Sequence, residues 1–109
     1  MQVVPTERYE CTRFVQFLRN NNIPFTHIAN ETDSVKLGIA NRRMGVSKGV
    51  PDYLVLVPNG IIFIEMKRRR GGRVTKEQKE WIAGLTLRGI PARVCKGFDE
   101  AAAFVKEHL

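Results

Sequence analysis

Asp52, Glu65 and Lys67 are the residues whose types and spacing could do chemistry in this sequence. They punctuate two apolar runs, Tyr53 to Val57 and Ile61 to Met66, rich in β-branched and aromatic residues. Between the runs lies Asn59-Gly60, the strongest short signal for a β-hairpin. With Asn59 and Gly60 as a two-residue turn, Pro58 faces Ile61, Leu54 faces Glu65 and Asp52 faces Lys67. Alternate residues of a strand share a face, and so do opposed residues, so this register predicts that Asp52, Glu65 and Lys67 project from one side of the sheet. Two carboxylates a diagonal apart can hold a hard cation such as Mg²⁺, which takes oxygen ligands and keeps exchangeable waters. The ammonium beside them can orient a metal-bound water or help deprotonate it. Such a set suits metal-assisted phosphodiester hydrolysis. A cross-strand salt bridge between Asp52 and Lys67 would account for the same residues structurally. The run Arg68-Arg69-Arg70 that follows at once favours catalysis on a polyanion.

Around the hairpin the sequence predicts a simple order of elements. Pro5-Thr6-Glu7 starts a helix over Glu7 to Asn20, with Cys11, Phe14, Val15 and Leu18 at i, i+3, i+4 and i+7. Phe25 to Ala29 reads as a short strand. From Asn30 to Gly49 the periodicity weakens, which suggests a long functional loop carrying Arg42, Arg43 and Lys48, with Asn30 as a further residue that could line the site. Thr75 caps a helix that runs to Leu87, with Trp81, Ile82 and Leu85 on one stripe, and Trp81 is expected in the core. Ala92 to Cys95 is a last strand, and Asp99 is expected to cap a final helix ending near His108. The resulting class is α/β, in the order α-β-β-β-α-β with a C-terminal helix, spanning residues 1–109 as a single domain.

Charge points to the partner. The formal net charge is +7, and the segment from Arg42 to Lys79 holds ten Lys or Arg against three acids, while the other residues carry eight of each sign. The whole excess therefore sits around the candidate site, the footprint expected for nucleic-acid binding. No apolar run approaches the roughly 20 residues of a membrane span, and the early Glu7 and Glu10 do not fit a signal peptide, so a cytoplasmic setting is expected. Cys11 and Cys95 stand alone, without the spacing of a disulfide framework or a zinc site.

The ordered set of motifs resembles a known family. Pro51-Asp52, twelve residues, then Glu65-Met66-Lys67 looks like the PD-(D/E)xK nuclease motif, and Gly49-Val50-Pro51-Asp52 resembles the form found in the virus-type replication-repair nuclease domain, VRR-NUC. An early helix with an acidic residue, a basic loop before Gly-x-Pro-Asp, and Gln78 in a Gln-x-x-Trp-Ile-x-x-Leu helix extend the likeness over nearly the whole chain. The resemblance implies a restriction-endonuclease-like core with a central mixed sheet, dependence on Mg²⁺ or Mn²⁺, and action on DNA. It is similar to the compact type found in phages and bacteria, which implies a homodimer acting on branched DNA such as Holliday junctions in a bacterial or phage-infected cell.

Carried over residue by residue, the resemblance makes Asp52 and Glu65 metal ligands, the Met66 carbonyl a backbone ligand and Lys67 the catalytic lysine. Gln78 matches an active-site glutamine, although Thr75-x-x-Gln78 is also a capping box. Of the two acids on the first helix, Glu7 lies on the apolar stripe and is the expected inward acid, either catalytic or bound to metal through water, with Glu10 as the alternative. The family often has glutamine where this chain has Cys11. Arg42, Arg43, Lys48, Arg68, Arg69, Arg70 and Arg73 are the candidates for phosphate contact. The leading expectation is a metal-dependent endodeoxyribonuclease. The alternative is a nucleic-acid-binding module on the same fold, with weak or no cleavage, in a phage replication or repair complex.

Overall fold

A computed structural model describes residues 3–29 and 34–109, so the expectation for Asn30 lies outside the described residues. The elements are α1 (Glu7–Asn20), β1 (Phe25–His27), α2 (Val35–Arg43), β2 (Tyr53–Val57), β3 (Gly60–Lys67), α3 (Lys76–Leu87), β4 (Ala92–Lys96) and α4 (Phe98–Lys106). One four-stranded sheet has the spatial order β1-β2-β3-β4, antiparallel at the first two pairings and parallel between β3 and β4. The parallel step needs a crossover, and α3 provides it. This is the expected α/β fold with a mixed sheet, plus one helix that the sequence pattern did not indicate.

That helix is α2. Ser34 caps it by accepting a hydrogen bond from the Leu37 N–H at 3.2 Å, and Arg42 and Arg43 in its last turn suit the negative end of the helix dipole. None of its residues is buried, and Val35, Leu37 and Ile39 are all exposed. Without a buried stripe there is no 3.6-residue period to read, so capping alone marked this helix.

The hairpin differs from expectation in register. Tyr53 pairs with Ile64 and Val57 with Gly60, so Pro58 and Asn59 form the turn in place of Asn59 and Gly60. Proline explains the shift. Residues flanking a two-residue turn exchange both N–H···O bonds, which Pro58 cannot do, whereas its fixed φ suits the first turn position. The slip is two residues, so every side chain keeps the face it was assigned. Continued past Tyr53, the register puts Asp52 opposite Glu65, where Lys67 was expected.

Tyr53, Val55, Ile62, Ile64, Met66 and Cys95 face one side of the sheet, where α1 contributes Phe14 and Leu18, and α4 contributes Ala101, Phe104 and Val105. Phe14 meets Tyr53 edge-on at 5.4 Å between ring centres. β1 is three residues long, shorter than expected. Gly97, with no side chain to offer, occupies the N-cap of α4 that was expected of Asp99.

The missing cap is supplied from α1. Glu10 is fully buried, and its Oε1 accepts from the Phe98 N–H at 3.1 Å while its Oε2 accepts from Arg69 Nε at 2.8 Å. Gly97 has φ +91, and a Cβ there would lie 2.7 Å from Arg69 Cγ, so only glycine lets this knot close. Asp99 also reaches Arg69, at 3.7 Å. One carboxylate thus ties α1, the exit of β3 and the start of α4 together. Removing Arg69 would leave a buried acid with a single partner, so Arg69→Ala should cost roughly 2 kcal/mol of stability. Arg70→Ala, at an exposed position, should stay within about 0.5 kcal/mol of wild type. Urea denaturation of both variants decides; equal effects would refute the structural role of Arg69.

Candidate active site

The site forms where β2 and β3 begin to part. Asp52 sits one residue before β2, and two groups hold it. Its carbonyl accepts from the Ile28 N–H at 2.6 Å, and its Oδ2 accepts from the Met66 N–H at 2.9 Å, so the side chain continues the ladder that the backbone leaves. Glu65 is buried within β3, and its Oε2 lies 3.6 Å from Lys67 Nζ. The ion pair therefore runs from Lys67 to Glu65, and the cross-strand pair with Asp52 does not form.

Gln78 completes the first layer around Glu65. Its Nε2 donates to Glu65 Oε2 at 3.1 Å, while its Oε1 accepts from the Thr75 N–H at 2.9 Å and its own N–H donates to Thr75 Oγ1 at 3.1 Å. The two roles weighed for Gln78 are thus filled at once. The capping box fixes the amide, and the fixed amide holds the acid. Gly49 explains the start of the Gly-Val-Pro-Asp stretch. It has φ +84, and a Cβ would come within 2.5 Å of the Glu77 backbone carbon and 2.7 Å of Gln78 N. This glycine lets the loop bearing Asp52 lie directly on the first turn of α3.

Electrostatically the site is short of positive charge. Burial pushes the Glu65 carboxyl up to about 8; the neighbouring Asp52 charge adds to this and Lys67 opposes it. Burial also raises Asp52, against the hydrogen bonds from the Met66 N–H and the Glu65 side chain and the charges of His27 and Lys67. Glu65 Oε1 is buried and meets no donor among the described residues, while the Glu65 and Asp52 side chains lie within hydrogen-bonding reach of each other. A bare acceptor beside a second carboxylate fits a hard divalent cation, which would take oxygen ligands from Asp52, Glu65 and the Met66 carbonyl and complete its shell with water.

Glu7 is not grouped with that set as a direct ligand. Among the described residues no group of three or more His, Cys, Asp or Glu is arranged to hold a metal. Glu7 is exposed, and the inward acid of α1 is Glu10, a correction of the stripe read from sequence: the buried line runs through Glu10, Phe14 and Leu18. Glu10 in turn is committed to Arg69 and α4, so it offers nothing to a metal. The Glu7 charge nonetheless bears on the site, since it is among the influences raising Glu65.

The basic residues divide. Arg69 is a strut, held by Glu10 and Asp99, with its side chain still 42% exposed. Arg68 curls over Gly71, its Nη2 lying 2.6 Å from where a Cβ would stand. Arg42, Arg43, Lys48, Arg70 and Arg73 are exposed and remain available to an anion. Two residues escaped the sequence reading. His27 stacks on Tyr53, with ring centres 4.7 Å apart, and its charge acts on Asp52. Cys11, at the position where glutamine was expected, is hydrogen-bonded to Tyr53, and burial raises its thiol to about 11. Both depend on the pairing of β1 and α1 with β2, which no local pattern encodes.

Comparison with known proteins identifies the fold and the family. The family model for the VRR-NUC domain matches residues 7–99. A solved structure described as a VRR_NUC domain protein superposes with a TM-score of 0.83 at 22% identity, covering 99% of this chain and 91% of the other. A second, described as a VRR_NUC domain, gives 0.69 at 18% identity, covering 96% and 100%. No curated protein matches the sequence.

The raised Glu65 has a consequence for stability. Unfolded, the group releases its proton near 4.5; folded and free of divalent cations, it keeps the proton up to about 8. The folded state therefore binds the extra proton between these values, and stability from this group is full below 4.5 and is lost as pH rises towards 8, with a limiting slope of about 1.4 kcal/mol per pH unit. Glu65→Gln, which imitates the protonated acid, should flatten that slope. Urea titrations in EDTA between about pH 5 and about pH 8 measure it. A variant as pH-dependent as wild type would show that Glu65 is not the source.

Proposed function

Since the chain belongs to the VRR-NUC domain family, whose members are nucleases of the PD-(D/E)xK type, we propose that it is a Mg²⁺- or Mn²⁺-dependent endonuclease that hydrolyses DNA phosphodiester bonds, selects branched DNA and works as a homodimer. The observation that carries this reading is the pair of acids, half-buried Asp52 and buried Glu65, with one Glu65 oxygen that meets no donor among the described residues and an ammonium 3.6 Å from the other. A binding module with no chemistry would gain nothing from keeping a raised acid in that state.

A divalent cation bound there would supply Lewis-acid activation of water and stabilise charge on the phosphate. The residues of the chain do the rest. Lys67 Nζ can orient the attacking water, and Glu65, ionised once a cation is held, can take up its proton as the water oxygen bonds to phosphorus; the P–O bond to the leaving strand breaks and the leaving oxygen takes a proton from solvent. Gln78 keeps Glu65 in position, and the Met66 N–H does the same for Asp52. Arg42, Arg43, Lys48, Arg70 and Arg73 can hold backbone phosphates, which positions DNA without reading its sequence.

Symmetry supports the dimer. One such centre cuts one strand, whereas a four-way junction has approximate two-fold symmetry and needs two matched incisions. A two-fold pair of chains presents identical sites to opposed strands. The exposed Val35, Leu37 and Ile39 of α2 offer apolar surface to a second copy.

Asp52→Ala and Lys67→Ala should each lower Mg²⁺-dependent cleavage roughly a thousand-fold or more while leaving DNA affinity largely intact. Labelled DNA incubated with and without Mg²⁺, beside anisotropy titrations, tests this; near-normal turnover by Asp52→Ala protein would overturn the site. For assembly, the expected result is a dimer in sedimentation velocity that converts a mobile junction into paired nicked duplexes. A monomer that cuts flaps but not junctions would leave the nuclease and remove the junction preference.

A further inference from the structure

Trp81, expected in the core, is 37% exposed on α3. It lines an open cavity of about 410 Å³ together with Lys48, Glu77, Glu80, Leu85 and Arg88. Both walls of the cavity come from residues close along the chain to the candidate active site. Trp81 is three residues beyond Gln78, the residue that holds Glu65, or about 4.5 Å along the helix axis. Lys48 precedes Gly49, the residue packed against the backbone of Glu77 and Gln78.

We propose that this cavity takes an unpaired nucleobase of the DNA, stacked on the Trp81 indole, with Lys48 and Arg88 holding the neighbouring phosphates. An aromatic face accepts any base, and basic side chains beside it track the backbone of a single strand. Arg88 is held at the cavity by its Nη1, which donates to the Gly84 carbonyl at 3.0 Å. The acids do not forbid it. Glu80 faces Lys76 at 3.7 Å, and Glu77 can accept from a base N–H, the ring N3–H of thymine or the exocyclic amine of cytosine or adenine. A continuous duplex cannot offer a base to the cavity without breaking its stack, so the cavity selects DNA that is already unpaired beside the cleavage point, at a branch, a flap or an end. The inference rests on the nuclease reading only in taking DNA as the ligand.

Trp81 is the single tryptophan of the chain, so its emission reports on this cavity alone. With EDTA present and no cleavage occurring, titration with oligothymidylate should quench the emission with the same midpoint as the anisotropy of a labelled copy, whereas a blunt duplex should bind without quenching. Trp81→Ala should weaken oligothymidylate binding about ten-fold and leave blunt-duplex binding unchanged, and Trp81→Phe should restore most of the loss. If Trp81→Ala fails to fold, the wild-type quenching and Trp81→Phe still decide. Oligothymidylate binding by anisotropy without a change in emission overturns the inference, as does emission that follows protein concentration instead of DNA, the mark of a second copy in the cavity. Failure of metal-dependent cleavage would refute the nuclease reading and leave this result standing.

Discussion

Two acids, Asp52 and Glu65, are held against each other at the point where β2 and β3 part, so close that one keeps its proton until a cation replaces it, and much of the molecule is arranged around that constraint. Left to water, the two groups would separate and ionise. The sheet prevents this by anchoring Asp52 at both its carbonyl and its carboxylate, while Glu65 is fixed in the middle of a strand. Lys67 and Gln78 compensate one oxygen of Glu65 and leave the other bare. A buried polar atom without a partner is costly, and a fold retains one where an absent group is meant to satisfy it.

Glu10 provides the comparison within the same chain. It is as deeply buried as Glu65, yet both its oxygens are satisfied, by a guanidinium and a backbone N–H at the start of α4. Burial alone therefore does not distinguish a structural acid from a reactive one. Partnership does. The acid with a full set of donors holds the architecture together, and the acid with a deficit marks the chemistry.

The short motifs of this family acquire physical reasons in this frame. Gly49 is required by a backbone-to-backbone approach that no Cβ permits, and through it the loop of Asp52 rests on α3. Gln78 spans two tasks with one amide, capping the helix at its oxygen and orienting Glu65 at its nitrogen. Catalytic strand and supporting helix are consequently coupled, so a change in the cap of α3 reaches the carboxylate.

Local pattern determined a good deal about this protein. The apolar periodicity of α1 and α3, the β-branched runs of β2 and β3, the Thr75 cap and the concentration of basic charge were all legible, because each depends on residues close in sequence. The common face of Asp52, Glu65 and Lys67 was legible too, and survived a two-residue error in register because the pleat repeats every two residues. What the sequence could not decide was which distant groups meet. Helix α2 buries nothing and so left no period; Glu10 found Arg69 across 59 positions; Trp81 faces solvent although it shares a stripe with Leu85; and His27 reached Tyr53 only through the pairing of β1 with β2. Secondary structure follows from neighbours along the chain, whereas the partner of a buried charge is chosen by packing, and only the tertiary structure brings those partners together.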